Sequence, residues 1–392
     1  MSDIALLLRQ CGSPLYVYDL DQIRAAYRDF ATCFAYRPLD IHYAVVCNHN
    51  HHILQALAAC GAGMHANTPG DAHAALRAGI APEQIMYTGS NLNAADLDYL
   101  LQQGIALNLD SLDQLRDLLA HPRCPAEVGL RLCIDDRPGN RIGVSRPELQ
   151  QALQLLRGTG TRLSGLHMYA GTNNLNADHF LQAFERLLAA AEALPDLRYL
   201  NLGGGFGVPY QPGQRDLPLQ QLGQEISARM QHLSEQRRRP MGLILEPGRR
   251  LVAAAGTLYM QVISVKERPE RRFVGVDSSV ANIVVPSVYH PYHAIEALTP
   301  RGPLLDLPTD ICGASTHSRD FLGRDLRLPA LQPGDLLALK DAGAYGYAMS
   351  SHFLNRPRPA EVVKDGASWL LSRRRENLDD LLALQIAEPL AL

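Results

Sequence analysis

Short apolar runs recur along the first two-thirds of the chain, at Ile41–Val46, Gly63–Ala66, Ile85–Thr88, Ile105–Leu109, Gly129–Cys133, Leu163–Tyr169, Leu197–Leu202 and Gly242–Leu245. The first five begin 20 to 24 residues apart, the spacing of compact β-loop-α-loop units. Most are continuous rather than alternating, as expected when helices cover a parallel sheet. Helical periodicity fills the intervals: within Asn91–Gln103, Ala94, Leu97, Leu100 and Leu101 fall on one face. Eight such units in succession predict an α/β fold, a (β/α)8 barrel of TIM type rather than an open sheet.

Beyond about Arg250 the texture changes. Leu258–Val265, Arg272–Val276, Asp335–Leu339 and Ala360–Val363 are separated by Pro, Gly and Asp turns and predict an antiparallel β-domain. Leu15–Tyr18 reads as a strand that could join it. The expected organisation is residues 1–30 as an N-terminal strand and helix packing with the β-domain, 31–252 as the barrel, and 253–392 as the β-domain.

Composition narrows the chemistry. The 392 residues carry a formal net charge of −3, which lacks the concentrated positive field of a nucleic-acid or polybasic membrane surface. No stretch approaches the ~18 apolar residues needed to span a bilayer. Seven scattered cysteines without a CxxC pair fit a reducing cytoplasm better than a disulfide scaffold or zinc ribbon. The basic residues are 34 arginines and only three lysines, Lys266, Lys340 and Lys364. Any chemistry that needs a lysine amine must use one of these three.

Four clusters carry candidate chemistry. Asn201-Leu-Gly-Gly-Gly-Phe-Gly207 follows a predicted strand, and its glycines would let backbone amides wrap an anion; a tight turn is the structural alternative. Glu246-Pro-Gly-Arg249 closes the last barrel strand, at the end where barrel active sites lie. A carboxylate and a guanidinium there could grip a ring nitrogen and an anion. The third is Asp341-Ala-Gly-Ala-Tyr-Gly346 and the fourth Gly165-Leu-His-Met-Tyr-Ala-Gly171.

Together with Pro14-Leu-Tyr-Val-Tyr-Asp19 and Tyr43-Ala-Val, these motifs resemble the fold-type III pyridoxal-phosphate decarboxylases, the diaminopimelate, ornithine and arginine decarboxylases with an alanine-racemase-like barrel. The resemblance runs from about residue 12 to 370. It implies a lyase acting on an amino-acid-like small molecule and a homodimer with active sites at the subunit interface. It also implies that Gly203, Gly204, Gly205 and Arg249 surround the cofactor phosphate, that Glu246 pairs with the pyridinium nitrogen, and that Tyr345 reaches the cofactor. Tyr289, Ser318 and Asp320 fall at substrate-binding positions.

The chain departs from the family pattern around that same pocket. The family strand reads Tyr-Ala-Val-Lys, and its lysine forms the internal Schiff base; Tyr43-Ala-Val-Val46 puts Val46 there. The acidic residue of the next strand is His65, and the histidine that stacks on the pyridine ring is Tyr169. The Cys-Glu-Ser-Gly-Asp motif reads Thr316-His-Ser-Arg-Asp320, so Thr316 replaces its cysteine; Cys312 lies four residues too early to take its place. The arginine of Arg-Pro-Ala-Leu-Tyr is Val285. Changes coordinated over one pocket point to natural divergence rather than a single inactivating replacement.

Three readings follow. The protein binds pyridoxal phosphate non-covalently, or a cofactor–amine adduct, with His65, His167, Tyr169 or His317 moving protons. Alternatively it is an enzyme on the same fold without this cofactor, cofactor-independent or using a metal that His65, His167 and Tyr169 could ligate. In the third it is a non-catalytic regulatory partner. The His49-Asn-His-His52 cluster is expected to open a helix and face solvent. His65 and His167 as core histidines, Tyr169 as packing and His317 as a solvated loop residue are the structural alternatives.

Overall fold

A computed structural model describes residues 2–134, 140–289 and 292–386. The chain divides into two compact units, one of residues 23–209 and 215–251, the other of 1–22, 210–214 and 252–392.

After β1 (Leu15–Asp19), which belongs to the second unit, the first unit is a closed parallel barrel. Its strands are β2 (Leu39–Ala44), β3 (Gly63–Ala66), β4 (Ile85–Thr88), β5 (Ala106–Leu109), β6 (Glu127–Arg131), β7 (Arg162–His167), β8 (Tyr199–Asn201) and β9 (Gly242–Leu245). All eight expected strands form, three with the expected ends and the other five with an end shifted by one or two residues. The largest change of character is at Val45 and Val46, expected as strand but coiled with Cys47 into a 3-10 turn after β2. β8 keeps only three residues of Leu197–Leu202.

The helices between strands begin where short polar side chains can accept an otherwise orphaned amide. Asn50 caps His51–Ala59, Asn93 caps Ala94–Gln102 and Ser111 caps Leu112–Ala120. Thr68 with Asp71, and Ser145 with Glu148, form reciprocal capping boxes. The His49–His52 cluster thus does open a helix, with His51 exposed.

The helix Leu20–Thr32 spans the contact division: its Asp21 accepts from the Gly366 amide at 3.0 Å, and its later residues pack in the barrel unit. Ile23 and Phe30 are fully buried, and Phe30 meets Phe206 edge-to-face at 5.0 Å and Phe34 at 5.2 Å. The apolar stripe of this helix thus contributes to the barrel unit, which by contact clustering begins at Ile23.

The second unit contains β1 with β10 (Gly256–Arg268), β11 (Arg271–Val276), β12 (Ile295–Ala297), β13 (Thr309–Cys312), β14 (Phe321–Leu326), β15 (Leu336–Leu339), β16 (Ala360–Asp365) and β17 (Ser368–Arg373). Among the described residues these form a nine-stranded sheet with β1 between β10 and β16. The sheet is mixed rather than wholly antiparallel: β1 runs parallel to β16 and β11 parallel to β13. Sequence pattern cannot show this, because strand direction depends on connections that cross the sheet. A helix at Ser2–Cys11 precedes β1, and its Leu7 and Leu8 pack with Leu15, Val17, Ala360 and Val362. All three lysines sit on this unit, in β10, after β15 and in β16, where Lys364 pairs with Asp19 at 2.9 Å. No helix among the described residues is long and apolar enough to cross a membrane.

Candidate functional site

Four strand ends converge at the C-terminal face of the barrel. His65 lies in β3, His167 ends β7, Asn201 ends β8, and Glu246 directly follows β9. Barrel geometry aims such residues at one centre. Glu246, 2% exposed, is that centre. Its Oε1 accepts from Asn201 Nδ2 at 2.6 Å, and its Oε2 lies 3.0 Å from His167 Nε2 and 3.4 Å from His65 Nε2. The two imidazole rings are nearly parallel, 6.4 Å apart.

Burial works to raise the Glu246 carboxyl, but the charge of His65 and His167 where they are protonated, with hydrogen bonds from His167 and the Asn201 amide, outweighs it and holds the group well below the usual carboxylate range. For the imidazoles the balance is reversed. Burial dominates the attraction of Glu246, lowering His65 to about 4 and His167 in the same direction. The resting state is thus a carboxylate flanked by neutral histidines. His65 Nδ1 and His167 Nδ1 are buried and have no hydrogen-bond partner among the described residues. Those nitrogens can take or give a proton without breaking an existing bond.

The glycine loop lies beside this cluster. Gly203 has φ +63° and Gly205 φ +94°, and a Cβ at Gly204 would stand 2.5 Å from the Glu246 carbonyl oxygen. Glycine is therefore required for the loop to lie on the barrel backbone, so the tight-turn reading is correct as far as it goes. It does not exclude the anion reading. Gly203 donates to Asn201 Oδ1 and Gly207 to the Asn174 carbonyl, while the amides of Gly204 and Gly205 meet no protein acceptor among the described residues. Arg249 is half-buried at the start of the short helix Arg249–Val252.

Tyr169 is half-buried, with its hydroxyl 2.7 Å from Thr172 Oγ1 and the Arg131 guanidinium 5.5 Å from its ring centre. Val46 follows β2 and is 37% exposed. The remaining candidates belong to the second unit. Tyr345 has φ +59°, and Tyr289, Thr316, His317 and Ser318 are exposed. His317 stacks edge-to-face on Phe353 at 5.8 Å. Asp320 is buried and accepts from the Val280 amide at 2.8 Å and from the Ser315 hydroxyl.

Sequence reasoning singled out neither Asn201, Arg131 nor His42. Asn201 headed the glycine motif without being given a task. Arg131 was a lone cation in the run Gly129–Cys133, and that signal could have found it. It is 9% exposed, its Nη1 is 3.5 Å from Asp110 Oδ1, and its buried Nε has no hydrogen-bond partner among the described residues. A guanidinium so incompletely satisfied fits an anionic ligand group. His42 in β2 is a further buried imidazole, lowered by burial and feeling the charge of Glu246. Among the described residues no group of three His, Cys, Asp or Glu side chains is placed to hold a metal ion.

The family model for the pyridoxal binding domain of pyridoxal-dependent decarboxylases matches residues 20–253. Diaminopimelate decarboxylase of Methanothermobacter thermautotrophicus is 33% identical over 97% of this chain and 93% of its own length. The enzyme of Helicobacter pylori strain J99 is 32% identical over 97% of both. Among solved structures, diaminopimelate decarboxylase from M. jannaschii superposes with a TM-score of 0.91 at 26% identity, covering 98% of this chain and 94% of that one. The H. pylori enzyme complexed with L-lysine gives 0.89 at 29% identity, covering 97% and 99%. With a matched pyridoxal-binding barrel, near full-length relatives and an ionised carboxylate beside a glycine loop, the chain belongs to the fold-type III pyridoxal-phosphate-dependent amino-acid decarboxylases.

Proposed function

We propose that this family member binds pyridoxal phosphate without a lysine link and acts on a specialised amino acid or on a cofactor–amine adduct. One observation carries the reading: the barrel keeps an ionised Glu246 beside unspent glycine amides, yet contains no lysine. The residues present fit the cofactor. The amides of Gly204 and Gly205, with Arg249, suit its phosphate, Glu246 its ring nitrogen, and the orphaned Arg131 Nε a further anionic group. Bound there, pyridoxal phosphate supplies an electron sink for cleavage of a bond at the substrate's α-carbon.

In this reading the chain's own groups do the rest. Neutral His65 and His167 hold and move protons at their open Nδ1 atoms, and His317 and Tyr169 are further candidates for that task. Tyr345 approaches the cofactor, and Tyr289, Ser318 and Asp320 serve the substrate. The substrate differs from meso-diaminopimelate, because Val285 is a buried apolar side chain where the family pattern has an arginine. The working form is a homodimer in a reducing cytoplasm.

The test is covalent capture. Wild type and Val46→Lys are mixed with pyridoxal phosphate, reduced with borohydride and weighed by mass spectrometry. Both should bind the cofactor, seen as quenching of protein fluorescence, but only Val46→Lys should retain its mass after reduction. Val46 is 37% exposed, so a lysine there requires no repacking of the core. Failure of both proteins to bind would sink the reading. Equal labelling of wild type at Lys266, Lys340 or Lys364 would show that the second unit supplies the missing amine.

A further inference from the structure

Asn201 is 0% exposed and ends β8 between the two halves of the site. Its Oδ1 accepts the Gly203 amide at 2.8 Å, and its Nδ2 donates to Glu246 Oε1 at 2.6 Å. The second Nδ2 hydrogen faces Met86 Sδ at 3.5 Å. A third bond closes the circuit, from the Glu246 amide to the Gly203 carbonyl at 2.8 Å. Gly203, Asn201 and Glu246 thus form a ring of three hydrogen bonds with no exposed member.

Chemistry fixes the direction of this ring. A backbone amide can only donate and an ionised carboxylate can only accept, so the Asn201 oxygen must face Gly203 and its nitrogen must face Glu246. Of side chains with this reach, only an asparagine serves both. An aspartate would accept from Gly203 but set a second anion against Glu246, and a leucine would serve neither.

We infer that Asn201 is a positioning residue that couples the charge on Glu246 to the placement of the glycine loop, so that anion grip and ring-nitrogen grip work as one unit. Because a buried network of this kind has one satisfied arrangement, loosening either arm loosens the other. Asn201 touches no reacting atom; it acts through Glu246 and Gly203. The inference rests on the cofactor reading above for its consequence, but its geometry stands on the protein's own hydrogen bonds.

The experiment has two readouts. The first is pyridoxal phosphate affinity by fluorescence titration of wild type, Asn201→Leu and Asn201→Asp, each checked for fold by circular dichroism. Both variants should bind about tenfold more weakly, the scale of one lost buried hydrogen bond to a charged group. The second is the NMR titration of the imidazoles without cofactor. Asn201→Asp should move the His65 and His167 titrations upward, because a second carboxylate favours imidazolium. Asn201→Leu, which adds no charge, separates the lost amide from the added carboxylate: a residue that merely filled space would leave the titrations of that variant in place. Variants that bind within twofold of wild type, with unmoved imidazoles, overturn the inference. If wild type binds no cofactor, the functional reading falls by itself, and the imidazole titrations alone decide the coupling: moved, it stands; unmoved, it does not. Should Asn201→Leu fail to fold, Asn201→Asp carries both measurements.

Discussion

Lowering the pH from 7 towards 4 is expected to remove about 3 kcal/mol of folding stability through His65 alone. The imidazole is buried and neutral in the fold, with its titration lowered from 6.5 to about 4, first by burial. Unfolded, it titrates near its ordinary value. Between those two values the unfolded chain therefore binds more protons than the folded one, so stability falls as acid is added and is fully present only above about 6.5. His167 and His42 are lowered by burial too and act with the same sign. Glu246 reinforces them lower down: its carboxyl is depressed in the fold, so its contribution is present above the ordinary glutamate range and lost as pH falls below it. The neighbours Arg131 and Tyr199 keep their charge states across this window. Urea unfolding at intervals of pH, for wild type and His65→Leu, would measure this. The variant should show a shallower decline between 6.5 and 4, whatever its absolute stability. Parallel curves for the two proteins would refute the buried neutral state of His65.

That state could not be read from the sequence, although its members could. Glu246 was selected from its place at a strand end, to which barrel topology gives meaning, and His65 and His167 from the pocket positions of the family they resemble. Their mutual distances depend on how strands far apart in sequence close into a barrel, which no local pattern encodes. The same limit explains Asn201 and Arg131, visible as polar residues in apolar runs but without a task until Glu246 and Asp110 stood beside them. The helix Leu20–Thr32 shows another limit: its apolar stripe was legible, but its contact with Phe206, about 180 residues away, was not. Val46 was marked by the family resemblance, whose strand has a lysine at that position, and the count of three lysines in 392 residues only drew attention to it.

The glycine loop offers the other large effect, and a control within the same barrel. Gly205→Ala would place a Cβ 2.1 Å from the Gly171 carbonyl oxygen at a φ of +94°. Two costs then add: about 1–2 kcal/mol for an L-residue at positive φ, and about 1–3 kcal/mol for forcing an atom into packed backbone. Gly158 has a similar φ of +76°, but a Cβ there meets nothing within 4 Å, so Gly158→Ala bears the first cost only. Thermal and urea midpoints should therefore fall clearly further for Gly205→Ala. The distinction matters for function, because the loop can relieve the clash only by lifting away from Gly171. That movement would pull on the Asn174 amide bonded to the Gly205 carbonyl at 2.8 Å and carry the unspent amides of Gly204 and Gly205 out of place. Anion affinity, read with inorganic phosphate by calorimetry, should drop in Gly205→Ala and stay unchanged in Gly158→Ala. If the two variants lose equal stability and phosphate binding is indifferent to both, the loop is a turn and no more; if binding fails only in Gly205→Ala, the glycines are kept both because the backbone has no room for a side chain and because their amides have a partner to meet.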